Sequence, residues 1–168
     1  HFATCGGCQY QHLPYEKQLE WKTRQVKELL LHMVGIAADV NPTIPSPKQW
    51  GYRSKITPHF QRPKPGEEFP IGFLEFNRRT RLVDVHNCPI AMDEINEALQ
   101  PVRDDVKRRA AEYKKGATLL LRATEDRVET NHRAPVSEKV GNLKFNFLAG
   151  DFFQNNPFIL DSFTRHAA

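Results

Sequence analysis

Three cysteines are the residues whose type and spacing point most directly to chemistry. Cys5 and Cys8 stand in a Cys-Gly-Gly-Cys turn, and Cys88 precedes Pro89 far along the chain. Thiolates bind thiophilic metals, so these side chains could supply part of a four-ligand metal site. The residues alone leave open an iron–sulfur cluster, a redox pair, plain buried cysteines, or a zinc ion whose fourth ligand is a histidine, with the candidates His1, His12 and His86.

The cysteine count also bears on the compartment. An odd number of cysteines in 168 residues argues against the disulfide framework of a small secreted domain. We therefore expect a reducing, cytoplasmic location.

No apolar run approaches the ~18 residues that cross a bilayer, so we expect no membrane partner. The chain begins at His1 rather than at a methionine, and we expect it to be a segment of a longer protein.

A basic stretch is the second candidate for function. The net charge of the chain is +4, yet residues 48–81 hold eight Lys or Arg against three Glu, a local charge of +5. Aromatic and basic residues mix between positions 50 and 55, which suits single-stranded RNA because rings stack on bases and cations meet phosphates. A solvated surface, or a strand with its aromatics inward, explains the same pattern. The candidate RNA-binding residues are Tyr52, Arg53, Lys55, Arg62, Lys64, Arg78 and Arg79.

Helical periodicity marks two long stretches. Apolar residues recur at helical spacing across residues 14–35, where Pro14 suits the first turn and Gly35 suits the end of an amphipathic helix. A second apolar stripe runs along residues 91–115, and Pro101 is predicted to divide or kink this helix.

Short apolar runs between turn signals predict antiparallel strands. The runs cover residues 52–60, 71–76, 82–85, 117–124, 128–132 and 143–148, with Pro58 bending the first. Prolines exclude a helix from residues 36–48. The sequence therefore predicts an α+β fold, with a mostly antiparallel β-sheet central domain, an N-terminal amphipathic helix and a second long helical stretch.

The segment after the last predicted strand is rich in amide side chains. Residues 150–157 read Gly-Asp-Phe-Phe-Gln-Asn-Asn-Pro, and Asp151 or Asn156 could cap a helix over residues 158–165. Gln154 lies between strand and helix, where an amide either takes part in capping or recognises a small polar ligand.

Five blocks of residues carry a family resemblance. They are Cys5-Gly-Gly-Cys8-x2-Gln11-His12-Leu13, Gly51-Tyr52-Arg53-x-Lys55, Ile71-Gly72-Phe73, Cys88-Pro89-Ile90 followed by Ile95-Asn96, and Asp151-Phe152-Phe153-Gln154-x-Asn156. In this order, and over nearly the whole chain, they resemble the RNA uracil-5-methyltransferases that form 5-methyluridine, in particular the iron–sulfur-containing 23S ribosomal RNA branch. The cysteine block together with the Phe-Phe-Gln-x-Asn block is the specific part of the match.

The resemblance implies two cofactors. Cys5, Cys8 and Cys88 match three of the four cysteines that hold a 4Fe-4S cluster in the family, and the fourth is expected just upstream of His1. Gln154 matches a glutamine that contacts S-adenosylmethionine. The family's catalytic cysteine and general base have no match among the residues of this chain, so we expect the chain to be inactive alone.

The resemblance also implies a domain order. Residues 1–13 correspond to the cluster loop, residues 14–35 to a helix that packs on the methyltransferase domain, residues 36–150 to the central α+β domain, and residues 151–168 to the start of a Rossmann-like methyltransferase domain whose remainder is absent. The implied function is the RNA-contacting central part of an S-adenosylmethionine-dependent methyltransferase, acting on ribosomal RNA as a monomer. The alternative is a non-catalytic, zinc-stabilised RNA-binding module.

Overall fold

Short antiparallel strands and three α-helices make up the part of the chain that the computed structural model describes, residues 2–78 and 80–167. The helices are α1 (Tyr15–Leu29), α2 (Asp93–Arg108) and α3 (Leu160–Ala167). The strands are β1 (Lys55–Ile56), β2 (His59–Phe60), β3 (Gly72–Leu74), β4 (Leu82–Asp84), β5 (Ala117–Thr118), β6 (Leu121–Ala123), β7 (Val128–Glu129), β8 (Pro135–Val140) and β9 (Leu143–Leu148). The predicted α+β class with antiparallel strands is confirmed.

The strands form three separate sheets. Their orders are β4-β3-β2-β5, β1-β6-β7 and the hairpin β8-β9, and every pair of neighbours is antiparallel. Strands β1 to β7 have only two or three residues, so backbone ladders alone supply few hydrogen bonds to each sheet. Side-chain packing against the helices must therefore supply much of the stability.

Helix α2 provides the main apolar surface of the core. Ile95 and Leu99 on α2 are fully buried against Leu121 of β6 and Ile56 of β1. The thiol-bearing Cys88 belongs to the same cluster, so the loop before α2 is part of the core. One helix thus joins the β1-β6-β7 sheet to the loop that carries a candidate metal ligand.

Pro101 lies inside α2 and does not divide it, which corrects the expected division of the helix. The helix runs without interruption from Asp93 to Arg108. A proline removes one intrahelical hydrogen bond, and here the burial of Ile95, Leu99 and Val106 along the same helix outweighs that loss. The predicted helical stretch to residue 115 is also too long, because a 3-10 turn at Ala110–Glu112 ends it.

Two predicted strands each divide in two. The run 52–60 becomes β1 and β2, which join different sheets on either side of the buried Pro58. The run 117–124 becomes β5 and β6, again in different sheets. The sequence does not predict strand β8, because polar residues and an initial proline are atypical of a strand in the interior of a sheet. Strand β9 has the bounds that the sequence predicts.

Helix α1 ends as predicted but buries none of its residues. After Leu29 a π-helical turn, Leu30–Val34, leads to Gly35, whose φ of 71° is the left-handed conformation that glycine tolerates. Hydrogen bonds from the 42–48 segment hold the helix: Thr43 N–H donates to Thr23 Oγ1 at 2.9 Å, and Ser46 N–H to Tyr15 Oη at 2.7 Å. The described helices include none that is both long and apolar enough to span a membrane.

A buried arginine joins α2 to the β3-β4 pair. The Arg103 side chain is 0% exposed, and its Nη1 donates to the carbonyls of Ile71 (2.6 Å) and Val85 (3.0 Å). Its Nη2 lies 2.8 Å from Oδ1 and 2.9 Å from Oδ2 of Asp84. Burial favours a raised pKa for Asp84, but the Ile71 N–H and the Arg103 guanidinium outweigh it, so the pKa of Asp84 is lowered.

We expect Asp84→Asn to lower the free energy of unfolding at pH 7 by about 1–3 kcal/mol, because the buried guanidinium loses its charged partner while the carboxylate itself is partly solvated. Because the native pKa of Asp84 is depressed, its stabilisation is present above the unfolded pKa of about 4 and is lost as the pH falls through the native value. Urea denaturation at pH 7 and pH 3 measures the difference, which should shrink in acid. The exposed Asp39→Asn is the control, and an equal difference at both pH values would contradict the assignment.

Candidate functional site

The Cys-Gly-Gly-Cys loop docks on the end of strand β3. Gly6 N–H donates to Leu74 O at 2.8 Å, and Phe76 N–H donates to Thr4 O at 2.8 Å. A Cβ at Gly6 would lie 3.0 Å from Leu74 O, so a small residue is needed where the loop meets the strand. The contact buries both Cys5 and Cys8.

The loop that carries Cys88 is held by the side chain of Asn96 from the first turn of α2. Asn96 Oδ1 accepts from Cys88 N–H at 2.8 Å, and its Nδ2 donates to Cys88 O at 3.1 Å. The backbone of residues 51–53 joins this loop through Gly51 N–H to Pro89 O (3.0 Å) and Arg53 N–H to Ile90 O (2.7 Å). The Asn96 amide thus explains why an asparagine stands eight positions after the cysteine.

The three thiols are buried neighbours next to a cation. Burial raises the pKa of Cys8, and the nearby Cys5 and Cys88 raise it further, while Arg53 lowers it in part. Burial is also the main cause of the raised pKa of Cys88. In this apolar setting the thiols of Cys8 and Cys88 are neutral at pH 7 and need a positive group such as a metal to become thiolates. All three are free cysteines.

The thiols do not converge as the ligands of one metal ion would. Zinc ligands lie about 2.3 Å from the ion, which brings sulfur atoms within about 4 Å of one another. Over residues 2–78 and 80–167, no three Cys, His, Asp or Glu side chains meet closely enough to hold a single ion. His12 packs against Phe2 with the two rings tilted and their centroids 4.1 Å apart, and His86 Nε2 lies 3.0 Å from Asp84 Oδ2 in a hydrogen bond. His1, the other candidate zinc ligand, is outside the described residues.

A cleft of about 460 Å³ opens beside the cysteine loop. Its walls include Cys8, α1 and the 43–50 segment, and Trp50 and Tyr52 bring aromatic rings to it. Burial raises the pKa of Tyr52, and the adjacent Arg53 opposes that shift. Trp50 and Tyr52, two residues of the mixed aromatic and basic stretch, thus line the same cleft as Cys8.

The segment that carries Gln154 is fixed by two cations on one carbonyl. Asp151 O accepts from Lys55 Nζ at 2.9 Å and from Arg122 Nη2 at 2.7 Å. Arg122 is 2% exposed, and its Nε also donates to Ala149 O at 2.7 Å. Burial, with Arg122 and Arg53 nearby, lowers the pKa of Lys55. The Lys55 ammonium is therefore already bonded to the backbone of the 151–156 segment.

The other end of this segment is also anchored. Asn155 O accepts from Ser54 N–H at 2.8 Å, and Asn156 Nδ2 donates to Ser46 Oγ at 2.9 Å. Asn156 Oδ1 accepts from Phe158 N–H at 3.2 Å, as predicted for the cap before the last helix. Gln154 is exposed between these anchors, so its amide is available to a ligand.

The candidate RNA-binding residues fall into two groups. Tyr52, Arg53 and Lys55 are half-buried near the thiols or the 151–156 segment, whereas Arg62, Lys64 and Arg78 are exposed. Arg79 lies outside the described residues.

Sequence reasoning missed the anchoring roles of Asn96 and Arg122. A usable signal existed for Arg122, because a cation inside the apolar run Leu-Leu-Leu-Arg-Ala needs buried acceptors if that run is a core strand.

The described fold is shared with part of a known methyltransferase. The crystal structure of Pyrococcus abyssi tRNA (uracil-54, C5)-methyltransferase in complex with S-adenosyl-L-homocysteine matches 97% of this chain and 50% of that chain. The TM-score is 0.65 and the sequence identity is 20%, so this match concerns the fold alone. The α+β arrangement of this chain is therefore also found within a methyltransferase structure.

Sequence comparison shows which kind of methyltransferase this chain is similar to. A tRNA (uracil(54)-C(5))-methyltransferase of Schizosaccharomyces pombe is 47% identical over 99% of this chain and 33% of that protein. The protein of the same name from Saccharomyces cerevisiae is 29% identical over 99% of the chain, and a 23S rRNA (uracil(1939)-C(5))-methyltransferase of Photorhabdus laumondii is 33% identical over 61% of it. No family model matches the chain.

The homologues of this chain are RNA uracil-C5-methyltransferases, which relates it to the family that its cysteine and Phe-Phe-Gln-x-Asn blocks resemble. The chain spans about a third of the length of the first two of these relatives. The relatives named above include both tRNA and 23S rRNA enzymes. The comparison therefore does not single out the ribosomal RNA branch of these enzymes.

We expect Arg122→Met to loosen the segment that carries Gln154, because Ala149 O loses its donor and Asp151 O keeps only Lys55. The free energy of unfolding should fall by about 1–3 kcal/mol, the usual cost of leaving a buried acceptor without its charged donor. Hydrogen exchange followed by mass spectrometry should show faster exchange at residues 151–156. Arg127→Met removes an exposed arginine that pairs only with neighbouring carboxylates, and exchange should stay unchanged there. Equal exchange in the two variants would contradict the anchoring role.

Proposed function

We propose that this chain is the central, RNA-contacting part of an S-adenosylmethionine-dependent RNA uracil-C5-methyltransferase. The observation that carries the proposal is the 47% identity to the Schizosaccharomyces pombe enzyme across 99% of the chain. Hydrogen bonds also hold two of the matching blocks in place: backbone donors bond to the cysteine loop, and the backbone of Ser54 and the side chains of Lys55 and Arg122 donate to carbonyls of residues 151–156. In this proposal the chain itself supplies no catalytic residue and is inactive alone.

The domain order is part of the same proposal. Residues 1–13 form a cluster loop, 14–35 a docking helix, 36–150 the central domain and 151–168 the start of the methyltransferase domain. The exposed apolar side chains at the end of the first helix, such as Leu29, Met33 and Val34, support a docking role for it. Gln154, exposed between two anchored neighbours, would contact S-adenosylmethionine from the entry of that domain.

RNA is the proposed substrate class, and the similarity favours transfer RNA. The expectation of ribosomal RNA rests on the cysteines, whereas the two relatives that match 99% of the chain are named as tRNA (uracil(54)-C(5))-methyltransferases. Exposed basic side chains at Arg62, Lys64 and Arg78 would meet phosphates, and Tyr52 with Arg53 would act nearer to the thiols. We further propose that the protein works as a monomer in the cytoplasm, where its free thiols stay reduced.

We propose that these thiols hold an iron–sulfur cluster rather than a zinc ion. Cys5, Cys8 and Cys88 are buried together without converging on one point, and a cluster with several iron atoms takes its thiolates at separate corners. Arg53 would offset the negative charge of such a group. These cysteines would hold three of its corners, and a fourth ligand does not join them among residues 2–78 and 80–167. When bound, the cluster would supply a rigid cross-link or an electron-transfer centre.

We expect the chain alone to bind RNA weakly and in a salt-dependent way. If three phosphates are contacted, raising the salt concentration from 50 to 200 mM should weaken binding about 20- to 40-fold through counterion release. Fluorescence anisotropy with a tRNA transcript and a 23S rRNA fragment of equal length measures both the affinity and the preference. Absence of binding at low salt, or binding that salt leaves unchanged, would refute an RNA-contacting role.

The methyltransfer part of the proposal needs the longer protein that carries this chain. Incubation with S-adenosylmethionine and each transcript should form 5-methyluridine, with tRNA the better substrate. The chain alone, as the matched control, should form none. Methylation by the chain alone, or at a position other than C5 of uracil, would contradict the assignment.

We expect the longer protein that carries this chain, purified without oxygen, to contain iron and acid-labile sulfide and to be brown. Cys88→Ser should lose the colour and the iron, because an uncharged hydroxyl is a poor ligand for iron. His12→Ala and His86→Ala are controls that should keep the iron. Stoichiometric zinc that either histidine variant loses would instead favour the alternative, a zinc-stabilised RNA-binding module without catalysis.

A further inference from the structure

A second cleft, which shares no lining residue with the cleft beside the cysteine loop, lies between the loop of residues 62–69 and the C-terminal end of α2. Its volume is about 640 Å³, within the range of sites that hold a small ligand. Four basic side chains line it, together with two glutamates and two aromatic rings. They are Arg62, Lys64, Lys107, Arg108, Glu67, Glu68, Phe69 and Tyr113.

The tertiary structure creates this concentration of charge. Arg62 and Lys107 are 45 positions apart in the sequence, yet they line one cleft. Within residues 2–78 and 80–167, neither has a carboxylate partner in an ion pair, although Arg108 pairs with Asp105. Lys64 meets Glu67 at 3.5 Å with both side chains largely exposed, a contact that contributes little and that a phosphate could replace. Lys114 and Lys115 follow Tyr113 and are exposed.

The aromatic rings of the cleft are held from behind. The buried Phe60 packs against Phe69 with ring centroids 5.5 Å apart, and against Tyr113 edge-on at 4.9 Å. Phe69 and Tyr113 are themselves half-buried and line the cleft. Rings fixed in this way lose little freedom when a flat ligand stacks on them, which favours binding.

We propose that this cleft binds a nucleotide of single-stranded RNA, with the base against Phe69 or Tyr113 and the flanking phosphates on Arg62 and Lys107. The combination of unpaired cations with an aromatic wall is what single-stranded nucleic acid requires, because an acidic peptide would use the charges but not the rings. The proposal rests on the proposed RNA-methyltransferase function and adds an anchoring point that lies away from the thiols and from Gln154.

The test uses a fluorescein-labelled ten-nucleotide RNA of mixed sequence, titrated with the chain at several salt concentrations. The double variant Arg62→Ala/Lys107→Ala should bind about 10-fold more weakly, and the slope of log affinity against log salt should fall by about 1.4 for two lost phosphate contacts. The matched control is Lys27→Ala/Lys144→Ala, which removes the same charge from exposed sites elsewhere and should change the affinity less than about 2-fold.

The stacking part is tested separately. Tyr113→Leu should weaken binding at least about 5-fold without changing the salt slope, because a stacking contact carries no charge. Tyr113→Phe keeps the ring and should bind as the unmodified chain does. Circular dichroism and urea denaturation show whether each variant is folded. If Tyr113→Leu has lost its fold, Phe69→Leu replaces it in the binding measurement.

The outcomes separate the two proposals. If the chain binds RNA but the Arg62→Ala/Lys107→Ala variant binds equally well, the cleft proposal is wrong and the proposed function stands. If the unmodified chain binds no RNA at 50 mM salt, both are wrong. If a ten-residue glutamate peptide competes as well as unlabelled RNA of the same length, the cleft is a general anion site and nucleotide recognition is overturned.

Discussion

The fully buried guanidinium of Arg103 fixes the position of helix α2, and the main apolar cluster of the core packs on that helix. The Arg103 side chain donates to two backbone carbonyls and pairs with Asp84. A different placement of the helix would therefore leave the buried charge of Arg103 without partners. At its beginning α2 uses Asn96 to hold the Cys88 loop, and at its end it brings Lys107 to the basic cleft. Both candidate regions therefore depend on where one helix lies.

A second buried arginine serves the segment that follows β9. Strands of two or three residues supply few ladder bonds, so the loops between them need other donors to fix their course. Arg122 donates to the carbonyls of Ala149 and Asp151, and Lys55 joins it at Asp151. Charged donors to backbone carbonyls are stronger than neutral ones and leave Gln154 at a defined place. A buried arginine that donates to backbone carbonyls thus supports both regions. Arg103 holds α2 and with it the Cys88 loop, and Arg122 on β6 holds the segment that carries Gln154.

The features that were predicted correctly depend on local conformation. Gly35 ends the first helix because the left-handed backbone there suits glycine, and β9 has its predicted bounds because Gly141-Asn142 forms the turn before it. The errors arise where packing overrides local preference. Pro101 stays inside α2 because burial of the helix outweighs one missing hydrogen bond, and the run around Pro58 divides because its two halves pair with strands distant in sequence.

The sequence by itself determined the fold class, the first helix and its end, and the identity of the thiol and amide blocks that relate the chain to RNA uracil-C5-methyltransferases. Only the tertiary structure decided which partners these side chains have. Lys55 looked like a free RNA contact, and in the fold its ammonium bonds to Asp151 O, 96 positions away. Arg62 and Lys107 line one cleft for the same reason. Periodicity and turn residues are set by neighbours in the chain, whereas the pairing of distant charges depends on how the core packs.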